Sequence, residues 1–366
     1  MSSNIDPMTV RITGPDAFPQ LVPHLIGFTP EDSLVIAVFR QGQLAVTARV
    51  GLPEIQPPGQ VESLLDRIWT RFPDANALLA AYTPDHAAGW EVLQRCVSHL
   101  PPEAAHLTMV RDGDTWHLPD GETGTVDRFG RIAAEASYRG MQSLPSRTDL
   151  VASFTSPADS DELTARVDTA LDALPDASDR SAVIARMGEL IRRNLPPTDG
   201  QPHHRGIDAQ DAIQLGILSQ HGQAREVALL SMTRDTAREH LGLWRSVVNQ
   251  VPEYGAQPTL FLAGMAAWIA GEGAAASIAL QRIGQLGKAM GPYRPAQILD
   301  TLIDQVTPPA EWEALRADGL QNADPRVRDA VTSSPAPGAW ERLSQHQFAH
   351  HKQPPDTAPP APRIAI

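Results

Sequence analysis

The spacing of the apolar residues changes at about Gly130, and this change constrains the fold more than any other feature. Before it, short apolar runs of strand length alternate with segments whose apolar residues recur at helical spacing. After it, only helical spacing remains. The pattern predicts an α/β N-terminal domain, with a mixed sheet covered by helices, followed by an all-α C-terminal region of packed helix pairs.

The run at residues 33–39, Ser-Leu-Val-Ile-Ala-Val-Phe, is apolar at successive positions. A strand exposed on one face would alternate, so this run predicts a central strand that is buried on both faces. The remaining apolar patterns give the order βαββαβαββ. The other expected strands are residues 9–13, 44–50, 76–83, 106–110 and 115–118, and the expected helices are residues 16–26, 61–72 and 90–100.

The same patterns suggest a division of the chain. We expect a sheet domain at residues 8–130, connecting helices at 131–195, an all-α region at 207–332 and a disordered, proline-rich tail at 333–366. Within the helical part, Gln223-Ala-Arg-Glu-Val-Ala echoes Pro325-Arg-Val-Arg-Asp-Ala. The echo indicates either a helical repeat or two ordinary capped helix starts.

Composition excludes several classes of protein. The single cysteine, Cys96, excludes an internal disulfide framework and a Cys₄ zinc site. A net charge of -13 argues against binding to the nucleic-acid backbone. Residues 259–280 are almost all apolar or small, but Gly271-Glu272-Gly273 interrupts them, which predicts a buried helical hairpin rather than a membrane span. The first residues lack the pattern of a signal peptide, and we expect a cytoplasmic protein.

Three local motifs have a functional and a structural interpretation. Gly271-Glu-Gly-Ala-Ala-Ala276 fits the G-x-G-x-x-A pattern of dinucleotide sites, but a tight turn between packed helices also explains it, because no strand precedes it. Asp199, His203, His204 and Asp208 carry metal-ligand atoms, yet they lie in a polar linker. Cys96 lies three residues before His99 but beside an apolar stripe, which favours a core thiol. We therefore assign no cofactor and no metal.

One region carries a candidate ligand site. Glu122 and Asp127 follow the last predicted strands, and Arg147 lies a short distance beyond them. We expect these side chains to approach the Asp32-Ser33 loop and to form one polar patch at the end of the sheet. Carboxylates there would act as bases or as metal ligands, and the guanidinium as an anion clamp. Turns with solvated charges, and a shared packing role, would produce the same pattern.

Four stretches of the sequence carry a family resemblance. Leu25-Ile-Gly-Phe-Thr-Pro-Glu-Asp-Ser-Leu-Val35 and Ala267-Trp-Ile-Ala-Gly-Glu-Gly-Ala-Ala-Ala-Ser-Ile-Ala-Leu280 resemble segments of domain-of-unknown-function family 4192. The stretches around Gly121-Glu-Thr-Gly124 and Leu144-Pro-Ser-Arg-Thr-Asp-Leu150 resemble the middle of that family. The resemblance implies an actinobacterial protein and supports the architecture, but it supplies no activity. Many members carry cysteines after the tryptophan hairpin, which this chain lacks there.

No complete catalytic motif is present in the sequence. The leading expectation is therefore a non-enzymatic interaction or scaffold protein, with a protein partner or self-association. The alternative is a hydrolase or transferase that acts on a small molecule at the end of the N-terminal sheet. A nucleic-acid regulator would need an arginine-lined face that overrides the acidic total.

Overall fold

A computed structural model describes residues 17–104, 106–138, 141, 143–195 and 207–333. The expected strand at residues 9–13, the linker histidines and the tail beyond Ser333 lie outside these residues. Within the described residues, six strands form one sheet in the order β2-β1-β3-β4-β5-β6. Their bounds are β1 Ser33–Arg40, β2 Gln43–Gly51, β3 Asn76–Tyr82, β4 His106–Asp112, β5 Thr115–His117 and β6 Thr123–Thr125.

The sheet is mixed, as predicted. Only β3 and β4 pair in parallel, because a helix connects them, and the other neighbours are antiparallel. β1 lies between β2 and β3, and its first six residues are buried. The prediction of an internal strand covered on both faces is confirmed. The sequence pattern missed β6, because Thr-Gly-Thr contains no apolar residue.

Four helices accompany the strands: α1 Ala17–Ile26, α2 Leu52–Ile55, α3 Gln60–Arg71 and α4 His86–His99. One face of the sheet packs against α3 and α4, whose apolar stripes bury Val61, Leu65, Ile68 and Leu93. Cys96 is fully buried in this cluster, and burial raises the pKa of its thiol to about 12. His99 contacts Asp66 instead, at 2.8 Å. The expectation of a core thiol is confirmed.

The rest of the described chain is helical, as the spacing predicts. The helices are α5 Arg131–Tyr138, α6 Arg147–Ala152, α7 Asp161–Asp172, α8 Arg180–Asn194, α9 Ala209–Leu218, α10 Gly222–Leu230, α11 Ala237–Val248, α12 Ala256–Ile269, α13 Gly273–Met290, α14 Ala296–Asp304, α15 Trp312–Asn322 and α16 Pro325–Thr332.

The apolar stretch at residues 259–280 is a hairpin of two packed helices, α12 and α13. All of α12 except one residue is buried, which explains why it has no polar face. Among the described residues, no helix combines the length and the hydrophobicity that a membrane crossing requires. The predicted hairpin is confirmed.

The two echoing segments are the first turns of α10 and α16. These helices pack against each other and against α8. The Gln223 amide donates to the Asp324 carboxylate at 3.2 Å, and Asp324 also caps α16. The two similar segments therefore lie at the contact between α10 and α16, and α16 begins with an ordinary N-cap.

The second face of the sheet belongs to the core of the helical region. Val35, Ala80 and Met109 from the strands form one continuous hydrophobic cluster with α1 and with buried residues such as Trp244 and Phe261. Sheet and helices therefore stabilise each other through shared buried surface. The proposed domain boundaries stay a prediction.

Candidate functional site

A cleft of about 1940 Å³ lies between the sheet and the helical region. Strand β2 forms one wall. The opposite wall consists of the turn between α12 and α13, residues 302–310 and part of α1. We call this cleft the β2 groove. β2 is the outermost strand of the sheet and is only partly buried, so its side chains are available to line the groove.

The alternation of β2 determines which side chains face the helices. Ala48 and Val50 lie opposite Ile36 and Leu34 and pack with them against α3 and α4. Arg49 lies opposite Val35 and is therefore on the other face of the sheet, where α1 and α13 approach β2.

Arg49 is partly buried and is held by uncharged neighbours. Its Nε donates to the Ser33 hydroxyl at 2.9 Å, and its guanidinium carbon lies 5.9 Å from the centre of the Phe28 ring. Burial lowers the pKa of Arg49, the nearby charge of Arg147 lowers it further, and Glu54 acts in the opposite direction. Arg49 and Arg147 both line the groove.

Arg147 reaches this place from a different part of the chain. Phe28 forms a parallel β-bridge with Leu144, three residues before Arg147. Ser146 and Asp149 form a capping box that starts α6, so Arg147 is its first helical residue. The Arg147 guanidinium then donates to the Gln281 side-chain oxygen on α13 at 3.1 Å.

The glycine motif is the α12–α13 turn, in the wall of the groove opposite β2. Gly271 has φ +82° and ends α12, and the amides of Gly271 and Glu272 return to the carbonyls of Trp268 and Ala267. Gly273 then begins α13 beside the Thr47 carbonyl. A tight turn between packed helices is therefore the correct interpretation of the motif, because a helix and not a strand precedes it.

Glu272, in the middle of that turn, lies among arginines. Burial raises the pKa of its carboxyl, and the charges of Arg238 and Arg245 act in the opposite direction. The Nε of Arg238 is buried and has no hydrogen-bond partner among the described residues. Arg245 lies over the Phe154 ring, 5.4 Å from its centre. Arg238 and Glu272 both line the groove, whereas Arg245 lies outside its lining.

Two exposed ion pairs join the two walls at the mouth of the groove. Arg67 pairs with Asp304, and Arg71 pairs with Glu311. Both arginines lie on α3, and both carboxylates lie on the helical side. These pairs connect the sheet to the helical region in addition to the shared core.

The structure divides the five predicted site residues into two groups. The Ser33 hydroxyl accepts a hydrogen bond from Arg49, and the charge of Arg147 lowers the pKa of Arg49. Arg49 therefore interacts with both of the predicted residues Ser33 and Arg147. Asp32 directly precedes Ser33, is exposed and has φ +40°. Of the five, only Arg147 lines the β2 groove.

Glu122 and Asp127 belong to the other side of the sheet. Glu122 lies in the turn between β5 and β6, and the Asp127 carboxylate accepts the Phe129 backbone N–H at 3.0 Å in a loop after β6. Five strand positions separate β2 from β6, about 24 Å at a spacing of ~4.8 Å. Both side chains are exposed.

Sequence reasoning missed Arg49, Arg238 and Glu272 as groove residues. The alternation of β2 carried a signal for Arg49, because it placed a charged residue on a face that is otherwise covered. Glu272 lay within the glycine motif but was not expected to contribute its side chain to a site, and no local pattern pointed to Arg238. Among the described residues, no group of three or more potential ligands is arranged to hold a metal ion. Asp208, the one described member of the linker set, caps α9.

The fold defines an α/β sheet domain joined to an all-α region through one core. The chain matches the domain of unknown function DUF4192 over residues 15–310, and it therefore belongs to this family. No curated protein and no solved structure matches it.

Proposed function

We propose that this protein is a non-enzymatic interaction protein, and that its β2 groove binds an acidic, extended segment of a partner protein. One observation carries the proposal: six arginines and five carboxylates line the groove of a chain whose net charge is -13. The lining thus carries one more positive than negative group, on a protein that is acidic as a whole. A local excess of positive charge favours acidic groups over basic ones.

The size of the groove supports a macromolecular ligand. Its volume of about 1940 Å³ exceeds the ~300–1,000 Å³ of sites for single small molecules. The nine residues of β2 extend over about 30 Å, which is enough to lie beside a segment of similar length.

Labelled peptides of about twelve residues, roughly 40 Å when extended, test the proposal. One peptide carries Glu between Gly and Ser spacers, a second carries Gln at the same positions, and a third carries Lys. Fluorescence anisotropy with the full chain should show the Glu peptide binding at least about tenfold more tightly than the others, with affinity falling as salt rises. Equal binding of all three, or none, would overturn the proposal.

Hydrogen exchange locates the bound peptide. We expect the Glu peptide to protect amides of residues 43–50 and 268–274, which lie on the two walls of the groove. Protection restricted to β5 and β6 would contradict this location.

Self-association is the competing form of the same proposal. Sedimentation and hydrogen exchange of the free chain distinguish the two forms. We expect a monomer whose groove amides exchange with solvent. A dimer in which these amides are protected would mean that a second copy of the chain, and not a partner segment, occupies the groove. The proposal also includes a cytoplasmic location, which a fluorescent fusion would check.

The hydrolase or transferase stays an alternative prediction. Its carboxylates, Glu122 and Asp127, lie across the sheet from the groove residue Arg147, so no contact among them favours it.

A further inference from the structure

The end of the β2 groove next to α1 brings two arginines together from distant parts of the chain. Arg49 is on β2, and Arg147 is on α6. The Phe28–Leu144 bridge connects their positions, since Arg49 lies over Phe28 and Arg147 follows Leu144 closely. Both side chains line the same groove.

Neither arginine is in an ion pair within the part of the chain that the structure describes. Arg49 donates to the Ser33 hydroxyl and Arg147 to the Gln281 amide oxygen, and both acceptors are uncharged. A guanidinium carries five N–H donors, so each group keeps donors free for a ligand. Ser33 and Phe28 fix the direction of Arg49, and Gln281 fixes that of Arg147.

Glu54 is the local competitor. This exposed carboxylate lies close enough to influence Arg49, but it is not within ion-pair distance of either arginine. A single carboxylate that forms no ion pair with either guanidinium group leaves their charge incompletely compensated.

We infer that Arg49 and Arg147 form an oxyanion subsite, which takes the carboxylate or phosphate group of a ligand. Planar guanidinium groups match the oxygens of such groups in pairs, and two of them from different directions define the position of one anion. The inference rests on the proposed function only for the source of the oxyanion. Under that function, the oxyanion is an acidic side chain of the partner segment. The subsite itself requires only the oxyanion.

Inorganic phosphate is the first probe, with acetate as the carboxylate probe. At constant ionic strength, each should raise the melting temperature of the full chain in a saturable way, since it binds the folded state. Arg147→Gln should weaken the apparent affinity about tenfold. Arg147→Lys should restore only part of it, because an ammonium lacks the planar fork.

Arg180→Gln is the matched control. Arg180 is also an exposed first residue of a helix, α8, and lies outside the groove. It should respond to phosphate like the wild type. Equal responses of wild type, Arg147→Gln and Arg180→Gln would overturn the subsite, since they would indicate a general salt effect.

Glu54→Gln gives a test with the opposite sign. Removing the competing carboxylate should tighten phosphate binding, and this gain should disappear when Arg147→Gln is added. Unchanged or weaker binding in Glu54→Gln would contradict the subsite. Arg147 and Glu54 are both exposed, so these variants should fold even if Arg49→Gln does not.

The peptide assay separates the two proposals. If phosphate binds through Arg147 but the Glu peptide does not bind, the subsite stands and the proposed function fails. If the Glu peptide binds wild type and Arg147→Gln equally, and neither phosphate nor acetate binds, the subsite fails and the proposed function stands.

Discussion

The two outer strands of the sheet meet very different surroundings. β2 has nine residues, and the α12–α13 turn and residues 302–310 face it across the groove. β6 has three residues, two of them exposed, and it is followed by a loop with a fully exposed Phe129. A long open edge invites uncontrolled strand pairing, so coverage of β2 and the shortness of β6 both protect the sheet.

The comparison also separates two kinds of charge. At the β6 side, charged groups satisfy local turns: Asp120 accepts the Glu122 N–H and Asp127 accepts the Phe129 N–H. At the β2 side, Arg49 and Arg147 come from a strand and a helix, and neither has an ion pair among the described residues. A charged side chain without an oppositely charged partner indicates a binding site more directly than a charged side chain that accepts the hydrogen bonds of its own turn.

The largest expected effect concerns the cover of β2. Trp268 is buried, donates its indole N–H to the Thr307 carbonyl at 3.1 Å and packs edge-on against Trp312. Trp268→Ala should lower the free energy of unfolding by about 3–5 kcal/mol, measured by denaturant titration. Trp90→Ala, at a partly buried indole on α4, is the control with a smaller expected loss. An unchanged unfolding midpoint for Trp268→Ala would show that the cover of β2 is not part of the core.

The second effect is a pH dependence that arises in the helical region. Burial lowers the pKa of His240, on α11, to about 4, so folding keeps this imidazole neutral. The unfolded chain binds the proton near pH 6.5, and stability is therefore complete above that pH and falls as the pH drops towards 4, by about 3 kcal/mol. His240→Gln should remove this slope in unfolding titrations across the window. His106→Gln, at an exposed histidine, should keep it.

A third variant perturbs the β6 side. A methyl group on Gly124 would overlap the indole of Trp116, which is buried on the neighbouring strand. Gly124→Ala should destabilise by about 1–3 kcal/mol through overpacking, seen as a lower melting temperature. It should leave phosphate binding intact. Gly284→Ala, at an open position of α13, is the control and should be neutral or stabilising.

The ion pairs at the groove mouth should matter little for stability. Arg67 and Arg71 are exposed, so Arg67→Gln and Arg71→Gln together should cost at most about 1 kcal/mol per pair. Faster hydrogen exchange in residues 302–310 should accompany the double variant, since these pairs tie that wall to α3. A loss of several kcal/mol would mean that the pairs, rather than the shared core, join the two regions.

The smallest effect tests the comparison itself. Glu122→Gln and Asp127→Asn should each change stability by less than about 0.5 kcal/mol, because both side chains are exposed. They should also leave the phosphate-dependent rise in melting temperature unchanged. If either variant abolishes that rise, the β6 side takes part in ligand binding and the contrast between the two edges is wrong.

Much of the fold was predictable because it depends on local periodicity. The apolar run of β1, the stripe of α3 and the apolar hairpin of α12 and α13 each determine their own burial, and each prediction is confirmed. Gly271 was recognisable as a turn for the same reason, since the helix before it is visible in the sequence. β6 was not predictable, because three small polar residues form a strand only when β5 offers them a partner.

The sequence by itself therefore determined the class of fold, the buried strands and the helices, because the spacing of apolar residues expresses which surfaces must leave water. It also named Ser33 and Arg147 as residues of interest. Only the tertiary structure decided which charges share a site: the order of the strands places Glu122 far from β2, and the Phe28–Leu144 bridge brings Arg147 towards Arg49. Electrostatic partnership depends on distances across the fold, and local patterns do not encode those distances.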